Sequence, residues 1–412
     1  MHEIKEIEEK VILVGVSTSK NMNVEESLDE LEELVETAGA MTLCKVIQNL
    51  DTVNNATYVG KGKIDELLTL IDTMEATGIV CDDELSPIQI RNLEDALQVK
   101  VMDRTLIILD IFARRATTRE GKIQVELAQL RYRSTRLTGL GTSMSRLGGG
   151  IGTRGPGEKK LEVDRRLIKD RIAQLRREVK DMEQHRELAR AHRGKNPIPV
   201  VAIVGYTNAG KSTLLNHLTD AKVLEEDKLF ATLDPTTRNL KLDSGQEVLL
   251  TDTVGFIRKL PHHLVDAFRS TLEEAKYADI LIHMVDGSNP QYHLQMEAVY
   301  ETLANLGVKD KKLITVFNKM DCVEDTSSMK DLKADEVVYA SVKFGEGLDL
   351  LKQVLENILR ESKIYIEQLY PFAEAGKIAL IRKYGQLLKE EYREDGILVM
   401  AYIPKEIETK VR

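Results

Sequence analysis

Tryptophan is absent from this chain, and cysteine is nearly so. Cys44, Cys81 and Cys322 are scattered with no paired spacing, which excludes a disulfide framework and a thiolate metal cluster. They read as buried or free thiols in a reducing cytosol. The eight histidines form no ligand cluster. No apolar run approaches the roughly 18 residues that span a bilayer, so no membrane partner is expected. The first residues, Met1-His-Glu-Ile-Lys-Glu6, lack the basic n-region and apolar core of a secretory leader, and a cytoplasmic location is expected. An excess of positive charge is missing too. The net charge of −9, taken alone, speaks against a polyanionic partner. What is there is a chain of 412 residues, 42% apolar and 30% charged, enough for two to four domains with real cores.

The net charge hides an asymmetry. Residues 119–193 hold 19 Lys and Arg against 10 Asp and Glu, a local +9 that leaves −18 for the remainder. Such a basic segment is either the solvated face of a charged helix or an electrostatic footprint for RNA, and its size favours RNA. Ile123, Leu127, Leu130 and Leu137 share one helical face, and so do Ile168, Ile172, Leu175, Val179 and Met182. These stripes predict two long helices packed as an antiparallel hairpin. Between them, Thr138 to Glu158 carries eight glycines, with Arg146 and Arg154 as its only charges before Glu158. A slim cationic loop on a rigid hairpin suits insertion into a crowded RNA cavity; a tolerated insertion is the plainer reading.

Three motifs follow in order. Gly205-Tyr-Thr-Asn-Ala-Gly210-Lys211-Ser212 fits G-x-x-x-x-G-K-[ST] in full, after the apolar run Val200–Val204 and before a helix pattern. A strand, a tight glycine-bearing loop and a helix N-terminus make a phosphate site. Lys211 is expected to reach the β/γ-phosphates and Ser212 to ligate Mg²⁺. Ala209 and Thr213 complete the nucleotide-binding loop. Asp252-Thr-Val-Gly255 ends a second strand. Asp252 is expected to hold Mg²⁺ through water, and the N–H of Gly255 to meet the γ-phosphate. Asn318-Lys319-Met-Asp321 ends a third strand. The Asp321 carboxylate matches the ring N–H and exocyclic amine of guanine, donors that adenine lacks, which selects GTP and GDP over ATP and ADP. Ser341-Val342-Lys343 is expected to close over the base.

In the loop Phe230 to Arg238, one threonine is expected to complete the Mg²⁺ shell. Thr232 is favoured, with Thr236 and Thr237 as alternatives. Phe256 stands where many GTPases place a glutamine that orients the attacking water. Hydrolysis is therefore expected to be slow unaided. Help is expected from a partner surface, from a K⁺ ion ligated by Asn208, or from Arg238 in place of an arginine finger. Lys211, Thr232 and Gly255 are the residues expected to serve catalysis.

Strand and helix signals alternate over residues 11–116 and predict a small parallel α/β domain. Within it, Gly60-Lys61-Gly62-Lys63 precedes a helix, with Lys61 and Lys63 as an RNA-phosphate contact or part of a plain cap. The expected division is an N-terminal α/β domain (1–117), a basic antiparallel hairpin (118–195, tip loop 138–158), a P-loop GTPase domain (196–363) and a small α+β C-terminal domain (364–412). In the last, a strand, a helix over residues 376–393 and a strand over 397–403 are predicted. That segment is too short to stand alone and is expected to pack on a neighbour or to dock on the partner.

Beyond the nucleotide motifs, several strings make the chain resemble the HflX family of ribosome-associated GTPases, in the Obg–HflX branch. They are Tyr58-Val-Gly60-Lys-Gly-Lys63, Asp82-Asp-Glu-Leu-Ser-Pro87, Arg104-Thr-Leu-Ile-Ile-Leu-Asp-Ile-Phe112, Gln124-Val-Glu-Leu-Ala-Gln-Leu130, Gly148-Gly-Gly-Ile-Gly-Thr-Arg-Gly-Pro-Gly-Glu158 and Asp252-Thr-Val-Gly-Phe-Ile257. The glycine-rich string is the most specific. The resemblance covers residues from about 10 to the end of the GTPase segment, with a weaker match in the tail. It implies binding to the large ribosomal subunit and its rRNA, with the hairpin reaching towards the peptidyl-transferase centre. It implies ribosome-stimulated GTP hydrolysis and GTP-dependent splitting of stalled or idle ribosomes under stress. Some relatives are linked to resistance to ribosome-targeting antibiotics. By the family pattern Thr232 is the switch threonine. Val342 departs from the usual Ser-Ala-Lys. The alternative is a large-subunit assembly or hibernation factor that uses GTP only as an occupancy switch. The free protein is expected to be a monomer.

Overall fold

The computed structural model describes residues 9–19, 23–144, 156–193, 198–219, 229–230, 233–259, 269–361 and 363–411. It divides into two compact units, Met1–Met182 with Lys259–Phe268, and Glu183–Arg258 with Arg269–Arg412. Among the described residues no helix is long and apolar enough to cross a membrane.

The first unit begins with four parallel strands, β1 (Lys10–Ser17), β2 (Met41–Asn49), β3 (Gly78–Cys81) and β4 (Lys100–Asp103), in the order β2-β1-β3-β4. β1 is central and buried along its interior, which is why its sequence runs apolar instead of alternating. Helices α1 (Val24–Thr37), α2 (Lys61–Met74), α3 (Pro87–Leu97) and α4 (Arg104–Arg115) connect and cover the strands. Ser86 caps α3 in a reciprocal box: its hydroxyl accepts from the Gln89 N–H at 3.3 Å, and Gln89 Oε1 accepts from the Ser86 N–H at 2.9 Å. Asp82, at the end of β3, is buried and accepts from Ser27 Oγ and Arg104 Nη1, each at 3.0 Å, and from Lys259. Burial works to raise its pKa, but Arg104 and Lys259 outweigh that and hold the carboxyl below its usual range.

Two long helices follow, α5 (Arg119–Met144) and α6 (Pro156–Arg193). Ile123, Leu127 and Leu175 form their buried seam, with Leu130, Ile172, Val179 and Met182 packed against it. Arg171 grips Glu126 through two hydrogen bonds, at 2.8 and 2.9 Å, and Arg119 lies 3.9 Å from Glu178. As the number rises on one helix it falls on the other, so the helices run antiparallel. Arg146 and Arg154 lie outside the described residues.

The second unit holds a six-stranded sheet ordered β10-β9-β8-β5-β7-β6. Its strands are β5 (Val200–Gly205), β6 (Thr236–Lys241), β7 (Glu247–Asp252), β8 (Ile280–Asp286), β9 (Lys312–Asn318) and β10 (Glu336–Tyr339), with edge strand β6 alone antiparallel to its neighbour. Successive crossovers leave β5 towards β7 and β8 towards β9. The crevice at the carboxyl ends of β5 and β8 is therefore the topological switch point, where open α/β sheets bind ligands. Helices α7 (Lys211–Thr219), α8 (Arg269–Tyr277), α9 (Tyr292–Asn305) and α10 (Leu348–Glu361) belong to this layer.

The C-terminal segment is an antiparallel sheet, β11 (Ile364–Tyr370), β12 (Gln386–Arg393) and β13 (Gly396–Ile403), ordered β11-β13-β12, with helices α11 (Ala375–Tyr384) and α12 (Lys405–Val411). The helix predicted over 376–393 is corrected: it stops at Tyr384, and Gln386–Arg393 is a strand. Lys389, Glu390 and Glu391 favour helix, but hairpin pairing with β13 overrides propensity there. The segment packs on α10: Arg360 Nε donates to Gln386 Oε1 at 3.2 Å, and Gln386 Nε2 donates to the Glu356 carbonyl at 2.7 Å.

Candidate nucleotide-binding site

The three motifs, about a hundred residues apart from end to end, meet at the carboxyl ends of β5, β7 and β9. Asn318 makes the tightest join. Its side chain, buried, donates from Nδ2 to the Ala209 carbonyl at 2.9 Å and accepts on Oδ1 from the Val342 N–H at 3.0 Å. Gly210, at φ +93°, makes room for this: a Cβ there would stand 2.3 Å from Asn318 Nδ2. One asparagine thus links the phosphate loop, the Asn318–Asp321 loop and the segment that follows β10.

The phosphate loop turns from β5 into α7 through Tyr206 to Gly210, with Asn208 in the left-handed region at φ 59°. Lys211 is buried, and its ammonium donates to the Tyr206 carbonyl at 2.6 Å. Burial pulls its pKa down to about 8, against the opposing pull of Asp252. Ser212 Oγ donates to Asp252 Oδ2 at 2.7 Å, and the carboxylate is fully buried. A hydroxyl and a carboxylate oxygen are hard donors suited to Mg²⁺, which keeps most of its shell from water and substrate phosphates. The fit is good on this chain's own atoms: Ser212 and Asp252 would hold the ion, whose chemistry is to neutralise charge on the phosphates. Among the described residues no cluster of three or more His, Cys, Asp or Glu side chains forms a separate metal site. Thr213, the third residue of α7, is half-buried.

The segment after Asp252 is stitched to the phosphate loop. The Phe256 N–H donates to the Gly205 carbonyl at 3.1 Å, and the Phe256 carbonyl accepts from the Thr207 N–H at 2.8 Å. Gly255 lies so close that a Cβ on it would stand 2.8 Å from Thr207 Cγ2 and 3.1 Å from Lys211 Nζ. The Phe256 side chain is buried. The Tyr206 hydroxyl accepts from the Arg258 N–H at 2.8 Å, and Arg258 Nη1 donates to Gln291 at 3.1 Å. Thr232 lies outside the described residues. Thr236 and Thr237 are in β6, with the Thr237 hydroxyl 2.9 Å from that of Thr251; Arg238 is exposed there and donates to the Thr237 carbonyl at 2.9 Å.

On the base side, Ser341 Oγ donates to Asp321 Oδ1, and this bond first of all holds the exposed Asp321 carboxyl below its usual range. The Asp321 carboxylate is therefore held ionised and is oriented by a buried hydroxyl. Val342 contributes its backbone N–H, so the departure from alanine at that position leaves the contact with Asn318 intact. Lys343 is exposed. Lys319 sits in the left-handed region at φ 62°, its ammonium 2.7 Å from Asp286 Oδ2. Asp286, Tyr206 and Thr207 were not legible as site residues in the sequence. The one signal for Asp286 is its place at the carboxyl end of an apolar strand, where Asp252 also stands.

The remaining predicted contacts lie elsewhere. Lys61 is exposed at the start of α2, and Lys63 pairs with Glu66 at 2.7 Å. The Gly60 N–H is taken by Gln48 Oε1 at 2.8 Å.

Comparison with known proteins extends beyond the motifs. Three family models match in sequence: a GTP-binding GTPase N-terminal region over residues 25–113, a GTP-binding GTPase middle region over 115–193, and a 50S ribosome-binding GTPase over 200–319. The chain is 67% identical over 405 residues to GTPase HflX of Lacrimispora saccharolytica, covering 98% of this chain and 96% of that one. It is 49% identical over 412 residues to GTPase HflX of Caldanaerobacter subterraneus, covering 100% and 95%. It is 42% identical over 391 residues to GTPase HflX of Escherichia coli, covering 94% and 92%. Among solved structures, a GTP-binding protein from Sulfolobus solfataricus in complex with GDP is 26% identical, with a TM-score of 0.45, covering 85% of this chain and 98% of that one.

Proposed function

Because this chain belongs to the HflX family of GTPases, we propose that it is a GTP-hydrolysing factor that binds the large ribosomal subunit through its rRNA and splits or rescues stalled and idle ribosomes under stress, antibiotic stress included. The observation that carries the RNA part is a stripe on α6. Arg166, Lys169, Arg176, Arg177 and Lys180 are all exposed. At about 100° per residue they fall within an arc of about 100°, turned roughly 120° from the Ile168, Ile172, Leu175, Val179 and Met182 seam. The apolar face closes the hairpin and leaves a continuous cationic face to a phosphate backbone.

On this reading GTP sits between Lys211 and Asp321, with Ser212, Asp252 and Thr232 serving Mg²⁺, and the Gly255 N–H meeting the γ-phosphate. Phe256 supplies no water-orienting group, so hydrolysis waits for the ribosome. Asn208 is the proposed K⁺ ligand, and equal hydrolysis rates in KCl and NaCl would remove it. Lys61, Lys63, Arg146 and Arg154 are proposed rRNA contacts. The four-segment division at 117, 195 and 363, a cytoplasmic location and a monomeric free state belong to the same reading.

The test is sedimentation of 70S particles with the protein and GTP, a non-hydrolysable analogue, or GDP. Conversion to subunits with GTP is the expected result. Binding without conversion favours an assembly or hibernation factor. No co-sedimentation in any state overturns the ribosomal reading.

A further inference from the structure

We propose that Asp286 is a positioning residue of the guanine site. Its carboxylate holds the Lys319 ammonium so that the lysine's methylene stem forms a fixed wall for the base. The inference rests on the nucleotide reading of the site.

Three features place Asp286 in this role. It stands in register with Asn318 across the β8–β9 ladder, one residue from Lys319. Its own orientation is set: Oδ1 accepts from the Ser288 N–H at 3.0 Å and from Ser288 Oγ at 2.6 Å, which leaves Oδ2 for Lys319 at 2.7 Å. The turn behind it is tied to the same loop, because the Gly287 N–H donates to the Asn318 carbonyl at 2.9 Å.

Lys319 is equally constrained. Asn318 before it is held from both sides, and Met320 after it donates its N–H to the Ala340 carbonyl at 3.2 Å. Between these anchors the backbone takes the left-handed form, φ 62° and ψ 35°, which sets the direction in which the side chain leaves. A lysine stem is flexible and apolar along its length, and a base that lies on it must first order it. An ion pair at the far end orders it beforehand, so the cost is not met on binding. The side-chain exposures are 14% for Asp286 and 32% for Lys319, so part of the lysine side chain is accessible while its tip is held at 2.7 Å. A brace for the β8–β9 turns alone would need only the Ser288 and Gly287 bonds.

The test is a mutant cycle on the full chain with Asp286→Asn, Lys319→Met and the double variant, using N-methylanthraniloyl-GDP and steady-state GTP hydrolysis. Asparagine keeps the acceptor for Ser288 and removes the charge. The expected loss is about tenfold in affinity, the same for GDP and GTP, falling on KM rather than kcat, with the double variant no weaker than Lys319→Met alone. An affinity within about twofold of the parent, or losses that multiply in the double variant, overturns the proposal. If Asp286→Asn melts early without nucleotide, Asp286→Glu replaces it. Affinity recovered by the retained charge supports the role, and a loss equal to that of asparagine overturns it. Absence of guanine-nucleotide binding in the unaltered chain is a different result: it removes the nucleotide reading itself, and this inference with it.

Discussion

The carboxylate of Asp103, at the end of β4, accepts a 2.9 Å hydrogen bond from Arg136 in α5. The same carboxylate caps α4 by accepting from the Leu106 N–H at 2.9 Å, and it takes the Leu85 N–H at 3.1 Å and the Tyr132 hydroxyl at 2.6 Å. Arg136 lies over the Tyr132 ring, 3.4 Å from its centroid. Burial first, and Asp103 second, push the Tyr132 phenol well above its ordinary pKa, so it stays a donor. One buried carboxylate thereby joins the parallel sheet to the root of the hairpin.

Arg136→Ala is expected to loosen that root. It removes one of four donors from a fully buried carboxylate, and breaking such a pair costs about 3 kcal/mol. Hydrogen exchange should quicken along residues 123–137, with little change in β5 or β7. Uniform exchange across α5 in parent and variant would show that the seam alone holds the hairpin in place.

Asp321→Asn is expected to change base preference. The carboxylate is aimed by Ser341, and its amide replacement presents a donor where guanine also presents donors. GTP affinity should fall by about a hundredfold or more. Xanthosine triphosphate, with a carbonyl in place of the exocyclic amine, should gain. Competition binding with both nucleotides measures the exchange, and undiminished GTP affinity would place base recognition elsewhere.

Much of this site was legible because its chemistry is local. Glycine, lysine and serine in the phosphate loop work through a strand–loop–helix of a dozen residues, and spacing along the chain fixes their geometry. The alternation of strands and helices in the first unit was legible for the same reason. Asp286 was not, because a single carboxylate after an apolar strand is common, and only the β8–β9 register sets it beside Lys319. Gln386–Arg393 was misread because its Lys and Glu residues favour helix and its strand character comes from pairing with β13. Val342 looked like a departure because sequence shows side chains, whereas the contact runs through its N–H.

His283 predicts a pH dependence of stability. It is buried in β8, with its ring edge-on to Tyr300 at a centroid distance of 5.2 Å. Burial pulls its pKa from 6.5 to about 4, against the attraction of Asp331. Below pH 6.5 the unfolded chain takes up a proton that the folded chain refuses, so stability falls as pH drops from about 6.5 towards 4. The limiting loss is about 3 kcal/mol. His283→Val removes the titrating group, and its melting temperature should fall less than the parent's between pH 7.5 and pH 5. Parallel pH profiles for the two proteins would assign the acid sensitivity to other groups.

Phe256→Gln separates residue type from position. If slow unaided hydrolysis came only from the missing amide, glutamine would restore it. The structure argues otherwise. The backbone of residue 256 is fixed on both sides, by Gly205 and Thr207, and its side chain is buried. A glutamine there would enter the same buried space and place an amide where it lacks water, at a cost of about 1–3 kcal/mol. The expected outcome is a lower melting temperature and an intrinsic GTPase rate within about fivefold of the parent, far short of the 10³-fold or more that a properly supplied transition-state group brings. Single-turnover hydrolysis without ribosomes, read beside thermal melting, checks both halves. A large rate gain with unchanged stability would show that the side chain at 256 swings into the phosphate site when GTP binds.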